Sequence, residues 1–152
     1  MCIRDRYYVS NAVWKTTNGG KDWTRISPDL ARQTWGVPAN AGKYASGVTP
    51  APLGTITALS PSPKNINVIW AGTDDGNIQV TTDGGAKWTN VTPPQIKPWT
   101  RIFNIEAGHF DVNTAYAAAN TMRVDDMNPT CGGRTTAGVR GRKSTLVSPR
   151  AV

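Results

Sequence analysis

The stretch Thr81-Thr82-Asp83-Gly84-Gly85-Ala86-Lys87-Trp88-Thr89 decides the fold, because the chain contains it twice. The earlier copy is Thr16-Thr17-Asn18-Gly19-Gly20-Lys21-Asp22-Trp23-Thr24, and both copies fit the pattern T-T-[DN]-G-G-x-x-W-T. The two copies are 65 residues apart, counted from Asn18 to Asp83. A repeat of this spacing is typical of proteins built from small, similar sheets.

A second repeat lies in front of these turns. Residues 56–71 align without a gap on residues 102–117, a shift of 46 residues. Alternating apolar residues between turn residues predict nine strands, at 7–10, 12–17, 23–26, 55–60, 68–73, 77–82, 88–92, 102–107 and 114–119. Residues 28–54, with four prolines, predict a long connection between repeats that contains one helical turn at 29–34. The predicted fold is all-β, a partial β-propeller of about two to two and a half four-stranded blades.

The residues of the repeated hairpin have separate structural tasks. Asp83 can accept hydrogen bonds from the backbone of its own turn, and Asn18 can do so through its carbonyl oxygen. The glycines supply left-handed backbone conformations that a Cβ would penalise, and the tryptophan packs over the turn. The residues assigned to this structural role are Thr16, Asn18, Gly19, Gly20, Trp23, Thr81, Asp83, Gly84, Gly85 and Trp88.

The pattern resembles the Asp-box, or bacterial neuraminidase repeat, of sialidases, sortilin-type receptors, xyloglucanases and photosystem II assembly factors. The segment Ala71–Trp88 is most similar to repeats of large bacterial sortilin-like and glycosyl-hydrolase-like proteins. The resemblance covers residues 7–129 and implies a propeller whose boxes lie at the blade periphery, away from the ligand face. It specifies the fold better than the activity. It also implies an extracellular or periplasmic parent protein, although the compartment of this chain is unknown from its sequence.

The formal net charge of +7 is concentrated at the two ends of the chain. Residues 129–152 carry five basic residues and no acidic one, whereas residues 7–128 carry 10 basic and 9 acidic residues, a net charge of +1. Both cysteines, Cys2 and Cys131, also lie outside residues 7–128. This distribution argues against nucleic acid as a partner of the body and against a thiolate metal site in it. No apolar run of the roughly 18 residues of a membrane span occurs.

Both ends are expected to be non-native. Residues 1–6 resemble translated adapter sequence, and residues 129–152 lack a strand pattern where a third box is due. One set of synonymous codons for Thr130–Val147, shifted by one base, reads H-L-W-R-T-H-D-G-G-R-T-W-T-E-V-N-T-G and so restores the box. We therefore expect a leader at 1–6, propeller blades at 7–128 and a frameshifted tail at 129–152. Bare sheet edges predict poor solubility for so few blades alone.

The sequence contains little that indicates catalysis. His109 is the only histidine, and residues 7–128 contain no cysteine. No Ser/His/Asp or Cys/His set can be assembled from these residues. Asp74 and Asp75 are adjacent acids, which fit a hairpin turn better than a metal site. We predict no catalytic residue, no metal and no cofactor.

Residues on the loops between blades are the candidates for ligand contact. Aromatic side chains there can stack on sugar rings or pack between blades. The candidate ligand-facing residues are Trp35, Trp99, Asp125 and Asp126. The predicted partner is a glycan or a protein, together with the remaining blades of the parent chain.

The predicted function is a non-enzymatic scaffold or binding role within a large exported sortilin-like Asp-box protein. One alternative is a fragment of a glycoside hydrolase of the xyloglucanase or sialidase kind. A second alternative is a propeller similar to a photosystem II assembly factor. An enzyme would need paired carboxylates on facing blades, and no spacing in this sequence establishes such a pair.

Overall fold

A computed structural model describes residues 5–34, 54–124 and 126–135. Within these residues the chain forms ten strands and a short 3-10 turn at Met122–Val124, with no α-helix. The strands are β1 Arg6–Val9, β2 Val13–Thr16, β3 Thr24–Arg25, β4 Ile56–Pro61, β5 Ile69–Thr73, β6 Ile78–Thr81, β7 Thr89–Asn90, β8 Arg101–Ala107, β9 Thr114–Thr121 and β10 Asp126–Thr135. All nine strands expected from the sequence are present, with ends within two residues of the prediction.

The strands form three antiparallel sheets, here named the first, second and third blades. The first blade is β1-β2-β3, the second is β4-β5-β6-β7 and the third is β10-β9-β8, each with neighbours hydrogen-bonded in that order. Ten strands in three such sheets amount to two and a half four-stranded blades, as the sequence predicts.

Strand register reproduces the sequence repeats. Leu59 pairs with Ala71 in the second blade, and Ile105 pairs with Ala117 in the third, so both partners are shifted by 46 residues. The bulge between Ile56 and Ala58 recurs between Ile102 and Asn104, again 46 residues later. The ungapped sequence alignment therefore corresponds to one repeated pair of strands.

The first and second blades are related in the same way through the box repeat. Tyr8 pairs with Trp14, and Ala71 pairs with Gln79, where Gln79 follows Trp14 by the 65 residues that separate the boxes. Arg6, paired with Thr16, therefore occupies the position of Ile69, which is paired with Thr81.

Two apolar layers hold the blades together. Val13 and Leu30 pack with Ile56 and Ala71 between the first and second blades, and each is at most 5% exposed. A larger cluster around Trp70, Val80, Ile102 and Ile105 fills the space between the second and third blades. Hydrogen bonds join the blades as well, because the Thr57 hydroxyl donates to the Ile102 carbonyl at 2.6 Å and the Ala107 N–H donates to Ser60 Oγ at 2.9 Å.

The predicted helical turn at 29–34 is wrong. Its backbone N–H groups donate to partners other than the preceding turn of a helix: Leu30 donates to the Asn11 carbonyl and Ala31 to the Asp29 carboxylate. The Arg32 N–H donates to Asp75 at 2.6 Å. Backbone donors satisfied in this way leave no helical hydrogen bond to form.

Strand β10 occupies residues that show no alternating pattern in the sequence. Cys131 pairs with Ala118 as Ile78 pairs with Gly72, so the backbone of β10 takes the third-strand position of its blade. Backbone pairing along β9 requires no particular side chain, which is why the pattern does not reveal it.

None of the described segments is a helix long and apolar enough to cross a membrane.

The strand directions divide the structure into two ends. The box end carries the repeated hairpins, which join β2 to β3 and β6 to β7. The opposite end, named the loop face, carries the turn at 74–77, the connection at 91–100 and the Met122–Val124 turn.

Candidate ligand-binding face

The loop face gathers charged and aromatic residues from all three blades. The turn between β5 and β6 lies at its centre, with Asp74 and Asp75 both nearly inaccessible to solvent, at 9% and 1%. Buried carboxylates need partners, so their surroundings decide what this face can do chemically.

Asp75 is held by the chain that follows the first blade. One of its oxygens accepts the Arg32 N–H at 2.6 Å, and the other accepts the Thr73 hydroxyl. The Arg32 guanidinium in turn donates to the carbonyls of Asp75 and Gly76, at 3.2 and 3.3 Å. A Cβ at Gly54 would overlap the Asp75 carboxylate, so the surrounding chain fits closely around it.

Asp74 is held from the opposite direction. Its Oδ1 accepts the Thr55 N–H at 2.8 Å, and its Oδ2 forms an ion pair with Arg123 at 3.0 Å. Arg123 also donates to the Asp74 carbonyl at 3.3 Å, and its side chain is 47% exposed. Asp74 and Asp75 therefore tie the second blade to segments on both sides.

These contacts give each oxygen of both carboxylates a partner. A general acid or base must reach a substrate proton, whereas both side chains here are buried and already hydrogen-bonded. Within the described ranges, no three His, Cys, Asp or Glu side chains come together in a way that could hold a metal ion.

Trp99 lies beside this turn in a strained backbone conformation. Its φ is 70°, the only positive value among the described residues other than glycine. The neighbouring chain fits tightly, since a Cβ at Gly76 would lie 2.7 Å from the Lys97 carbonyl. Bulky residues rarely adopt this conformation, and such strain is concentrated at binding sites and tight turns. Trp99 is half-buried and lies at the loop face.

The other three candidate ligand-facing residues are less well defined. Trp35 and Asp125 lie outside the described residues. Asp126 is the first residue of β10 and pairs through its backbone with Thr121, next to the Met122–Val124 turn. The structure therefore places only Trp99 of the four by its side chain.

Sequence reasoning missed Arg32 and Arg123, which lie in no motif. Their positions in the fold could have indicated them. Arg123 lies in the turn after β9, the second strand of the third blade, and Arg32 lies in the connection that follows the first blade. Both positions fall on the loop face of a propeller. Their partners, however, are 43 and 49 residues away in the sequence.

The box residues lie at the opposite end and make the hydrogen bonds of a closed turn. Asp83 Oδ1 accepts the Lys87 N–H at 3.0 Å and the Thr81 hydroxyl at 2.7 Å. These donors lower the pKa of Asp83 below its ordinary value, the Lys87 N–H most strongly. Gly84 and Gly85 have φ of 79° and 116°, in the left-handed region.

The first box forms the same turn without a charge. Asn18 Oδ1 accepts the N–H groups of Lys21 and Asp22 at 3.1 and 3.0 Å, and the Thr16 hydroxyl at 2.9 Å. The Asn18 amide donates to the Asp22 carboxylate at 2.7 Å, a bond that the aspartate in the second box cannot make. The two boxes therefore close their turns through the same pattern of backbone hydrogen bonds.

His109 lies at the box end as well, in the loop after β8. Its Nε2 is 2.9 Å from the Glu106 carboxylate, and both side chains are exposed. The Asp111 carboxylate in the same loop is bound to the Asn113 N–H and the Thr114 hydroxyl, at 3.0 and 2.7 Å.

Solved structures similar to this chain are β-propellers. YCF48, solved bound to a D1 peptide, matches 93% of the chain with a TM-score of 0.57 and 16% identity. An ancestral GH74 enzyme matches 88% with a TM-score of 0.56 and 15% identity. The GH74 enzyme of Niastella koreensis matches 94% with a TM-score of 0.55 and 20% identity. These likenesses confirm the predicted fold class, a partial all-β propeller.

The chain spans 38% of the YCF48 chain and 15% and 20% of the two GH74 chains. At such low identity the likeness concerns the fold alone. The sequence matches no protein-family model and no curated protein.

Proposed function

We propose that this chain is part of a non-enzymatic β-propeller scaffold that binds a glycan or protein ligand on its loop face. The two repeated hairpins are Asp-boxes in this proposal, and the parent is a large exported sortilin-like protein. The observation that supports a binding role most directly is the state of Asp74 and Asp75, which are buried and fully engaged by their neighbours.

The engaged carboxylates favour binding over hydrolysis. Glycoside hydrolysis uses two carboxyl groups that flank the scissile bond, one of which must give up and regain a proton. Releasing Asp75 for such work would leave the part-buried Arg32 N–H without its acceptor, and the buried Thr73 hydroxyl would keep only its longer contact with the Asn77 carbonyl. The cost of such an unpaired group, about 1–3 kcal/mol, argues that these acids serve to fix the loop face.

Trp99 is the residue proposed to contact the ligand. Its strained backbone lies close against the turn at 74–77, since a Cβ at Gly76 would lie 2.7 Å from the Lys97 carbonyl and 3.3 Å from that of Thr100. Rigid aromatic side chains give large contact area for little loss of conformational entropy, which suits a sugar ring or an apolar peptide side chain. The complex of YCF48 with a D1 peptide supports a protein ligand, since it is a propeller of similar fold with a bound peptide.

Binding by the purified chain to a glycan array and to an immobilised peptide library tests this proposal. Trp99→Ala should weaken any binding by about tenfold or more, the cost of removing a central aromatic contact. Trp99→Gly, which relieves the positive φ, should lose binding equally while keeping the fold. The control Phe110→Ala removes a 96% exposed ring at the box end and should bind like the wild type.

Equal binding by the wild type and both Trp99 variants would place the ligand elsewhere. Release of reducing sugar from xyloglucan, or of sialic acid from a sialylated substrate, would contradict a non-enzymatic role.

The second candidate function is a part of a glycoside hydrolase. Two GH74 enzymes share the fold over most of this chain, which favours this alternative. In that case the catalytic pair of carboxylates would be residues other than Asp74 and Asp75, elsewhere in the enzyme. Trp99 would line a sugar subsite. A photosystem II assembly role is supported only by the likeness to YCF48 and would require binding to a D1 peptide by this chain.

A further inference from the structure

An acceptor sequence for N-linked glycans lies at the outer edge of the second blade. Asn90-Val91-Thr92 fits the pattern N-x-[ST], in which x is any residue except proline. Asn128-Pro129-Thr130 has proline in the middle and does not fit. Asn90 is the last residue of β7, which is the outermost strand of the four in its blade and pairs with β6 alone. Propellers keep short outer edges of this kind whatever their number of blades.

Hydrogen bonds hold the carbonyl oxygen of the Asn90 side chain. Its Oδ1 accepts the Thr92 N–H at 2.9 Å and the Thr92 hydroxyl at 2.6 Å. The Thr92 hydroxyl oxygen in turn accepts the Ile78 N–H at 2.8 Å. The Asn90 side chain is exposed, and within the described ranges no protein group is hydrogen-bonded to its Nδ2. A sugar joined to this nitrogen would therefore replace no protein contact.

Asn90 lies on the face of the second blade that meets the first blade. Residues paired across two strands share a face of the sheet, and Gln79, the partner of Asn90, donates to the Leu30 carbonyl at 2.8 Å. Side chains two residues apart in an extended chain also share a face, which places Trp88 beside Asn90. The Trp88 indole donates to the Ile26 carbonyl and is half-buried, so part of this side chain stays exposed near Asn90.

We infer that Asn90 is the attachment site of an N-linked glycan whose first sugar stacks on Trp88. An oligosaccharyltransferase joins the asparagine Nδ2 to the anomeric carbon of a sugar carried on a lipid pyrophosphate. The bond between that carbon and the pyrophosphate breaks, its electron pair stays on the pyrophosphate, and the amide proton passes to a carboxylate of the transferase. The aromatic face of a tryptophan suits contact with a sugar ring.

The position of β7 suits both the transfer and its product. The strand is only two residues long and has one neighbour, so little pairing opposes its opening to the transferase. Once attached, the glycan covers an open strand edge and hinders that edge from pairing with other chains. It also lies at the rim where the first and second blades meet.

The inference takes from the proposed function only the exported parent, because the transferase acts on chains that pass into a secretory compartment. Translation of the full chain behind a signal peptide, with eukaryotic microsomal membranes present, tests it without any ligand. Chains protected from added protease lie inside the vesicles, and these are scored for a gel shift that peptide:N-glycosidase reverses. We expect one glycan on the wild type. Failure of ligand binding would leave this result unchanged.

Variants locate the glycan. Asn90→Gln and Thr92→Ala should each abolish the gel shift, and Thr92→Ser, which keeps the hydroxyl, should retain it. Asn65→Gln changes an exposed asparagine outside the acceptor sequence and should behave like the wild type. Asn67→Thr creates a second acceptor sequence at Asn65 and should give two glycans. Protected wild-type chains that carry no glycan, or a gel shift that survives in Asn90→Gln, would overturn the inference.

Trimming the glycan to its first sugar with an endoglycosidase tests the contact with Trp88. Compared with the same chain made in cells that lack the transferase, the trimmed chain should show altered tryptophan fluorescence and unfold at a higher urea concentration. An unchanged urea midpoint and unchanged fluorescence would overturn the stacking on Trp88.

Discussion

Equivalent glycines in the two box hairpins have very different surroundings. Gly20 and Gly85 have φ of 100° and 116°, so both adopt a conformation that penalises any Cβ. A Cβ at Gly20 would meet only the Trp23 ring, at an ordinary 3.9 Å. A Cβ at Gly85 would lie 2.5 Å from the Ile26 carbonyl oxygen of the first blade.

We expect Gly85→Ala to destabilise the chain more than Gly20→Ala. Both variants incur the left-handed penalty of about 1–2 kcal/mol, and Gly85→Ala adds about 1–3 kcal/mol of overpacking against the first blade. Urea denaturation followed by circular dichroism measures both values. Equal losses would mean that the second box does not press against the first blade in solution.

The second box should make stability depend on pH, because Asp83 has a lowered pKa in the folded chain. A depressed folded pKa stabilises the fold above the unfolded value of 3.8, and the contribution is lost as the pH falls through the folded pKa. Asp83→Asn should remove this part of the acid sensitivity, whereas Asn18→Asp should not add a similar part in the first box, because it would place a second carboxylate against that of Asp22.

Urea midpoints measured between about pH 2 and pH 6 test this expectation. Asp111, whose pKa is lowered chiefly by the Asn113 N–H, remains in both variants and provides a constant background. Identical pH profiles for the wild type and Asp83→Asn would contradict the prediction.

At the scale of elements, the box hairpin is a link between blades as well as a turn. The second hairpin joins β6 to β7 and also attaches to the first blade, through the hydrogen bond from Trp88 to Ile26. Trp23 has the same position in its own hairpin but is 41% exposed. Two hairpins with one sequence pattern therefore contribute differently, because among the described residues only the second is hydrogen-bonded to another blade.

Trp88→Phe should cost about 1 kcal/mol, since it removes the indole donor and leaves the Ile26 carbonyl without that partner. Trp23→Phe, the matched change in the first hairpin, should be nearly neutral. Urea denaturation followed by circular dichroism measures both changes. A larger loss for Trp23→Phe would contradict this account of the hairpins.

At the scale of the whole molecule, three blades stack through two apolar layers, and each blade depends on the next for burial. The third strand of the third blade is β10, whose backbone register places Cys131–Arg134 opposite Ala118–Ala115. In the second blade Ile78–Thr81 take the matching place opposite Gly72–Ile69. The box of that blade follows directly, whereas no box follows Arg134.

Sequencing the source DNA through the codon for Pro129 tests the proposed frameshift. We expect a one-base shift that restores the third box. The shifted reading would place Leu-Trp-Arg-Thr on the third-strand position, matching Val13-Trp14-Lys15-Thr16 of the first blade. A reading frame that stands as written would overturn the proposal and make the basic tail a genuine charged segment.

The sequence by itself determined the strands, the turns and the repeat. The alternation of β4 and the Asp-Gly and Asn-Gly turns depend on neighbouring residues, and hydrogen bonds within a hairpin depend on little else. The 46-residue shift can be read directly by comparing two stretches of the sequence. Only the tertiary structure decided the state of Asp74 and Asp75, the strained backbone of Trp99 and the different burial of Trp23 and Trp88. Their partners lie up to 62 residues away on another blade, and no local pattern records which blade face meets a neighbour.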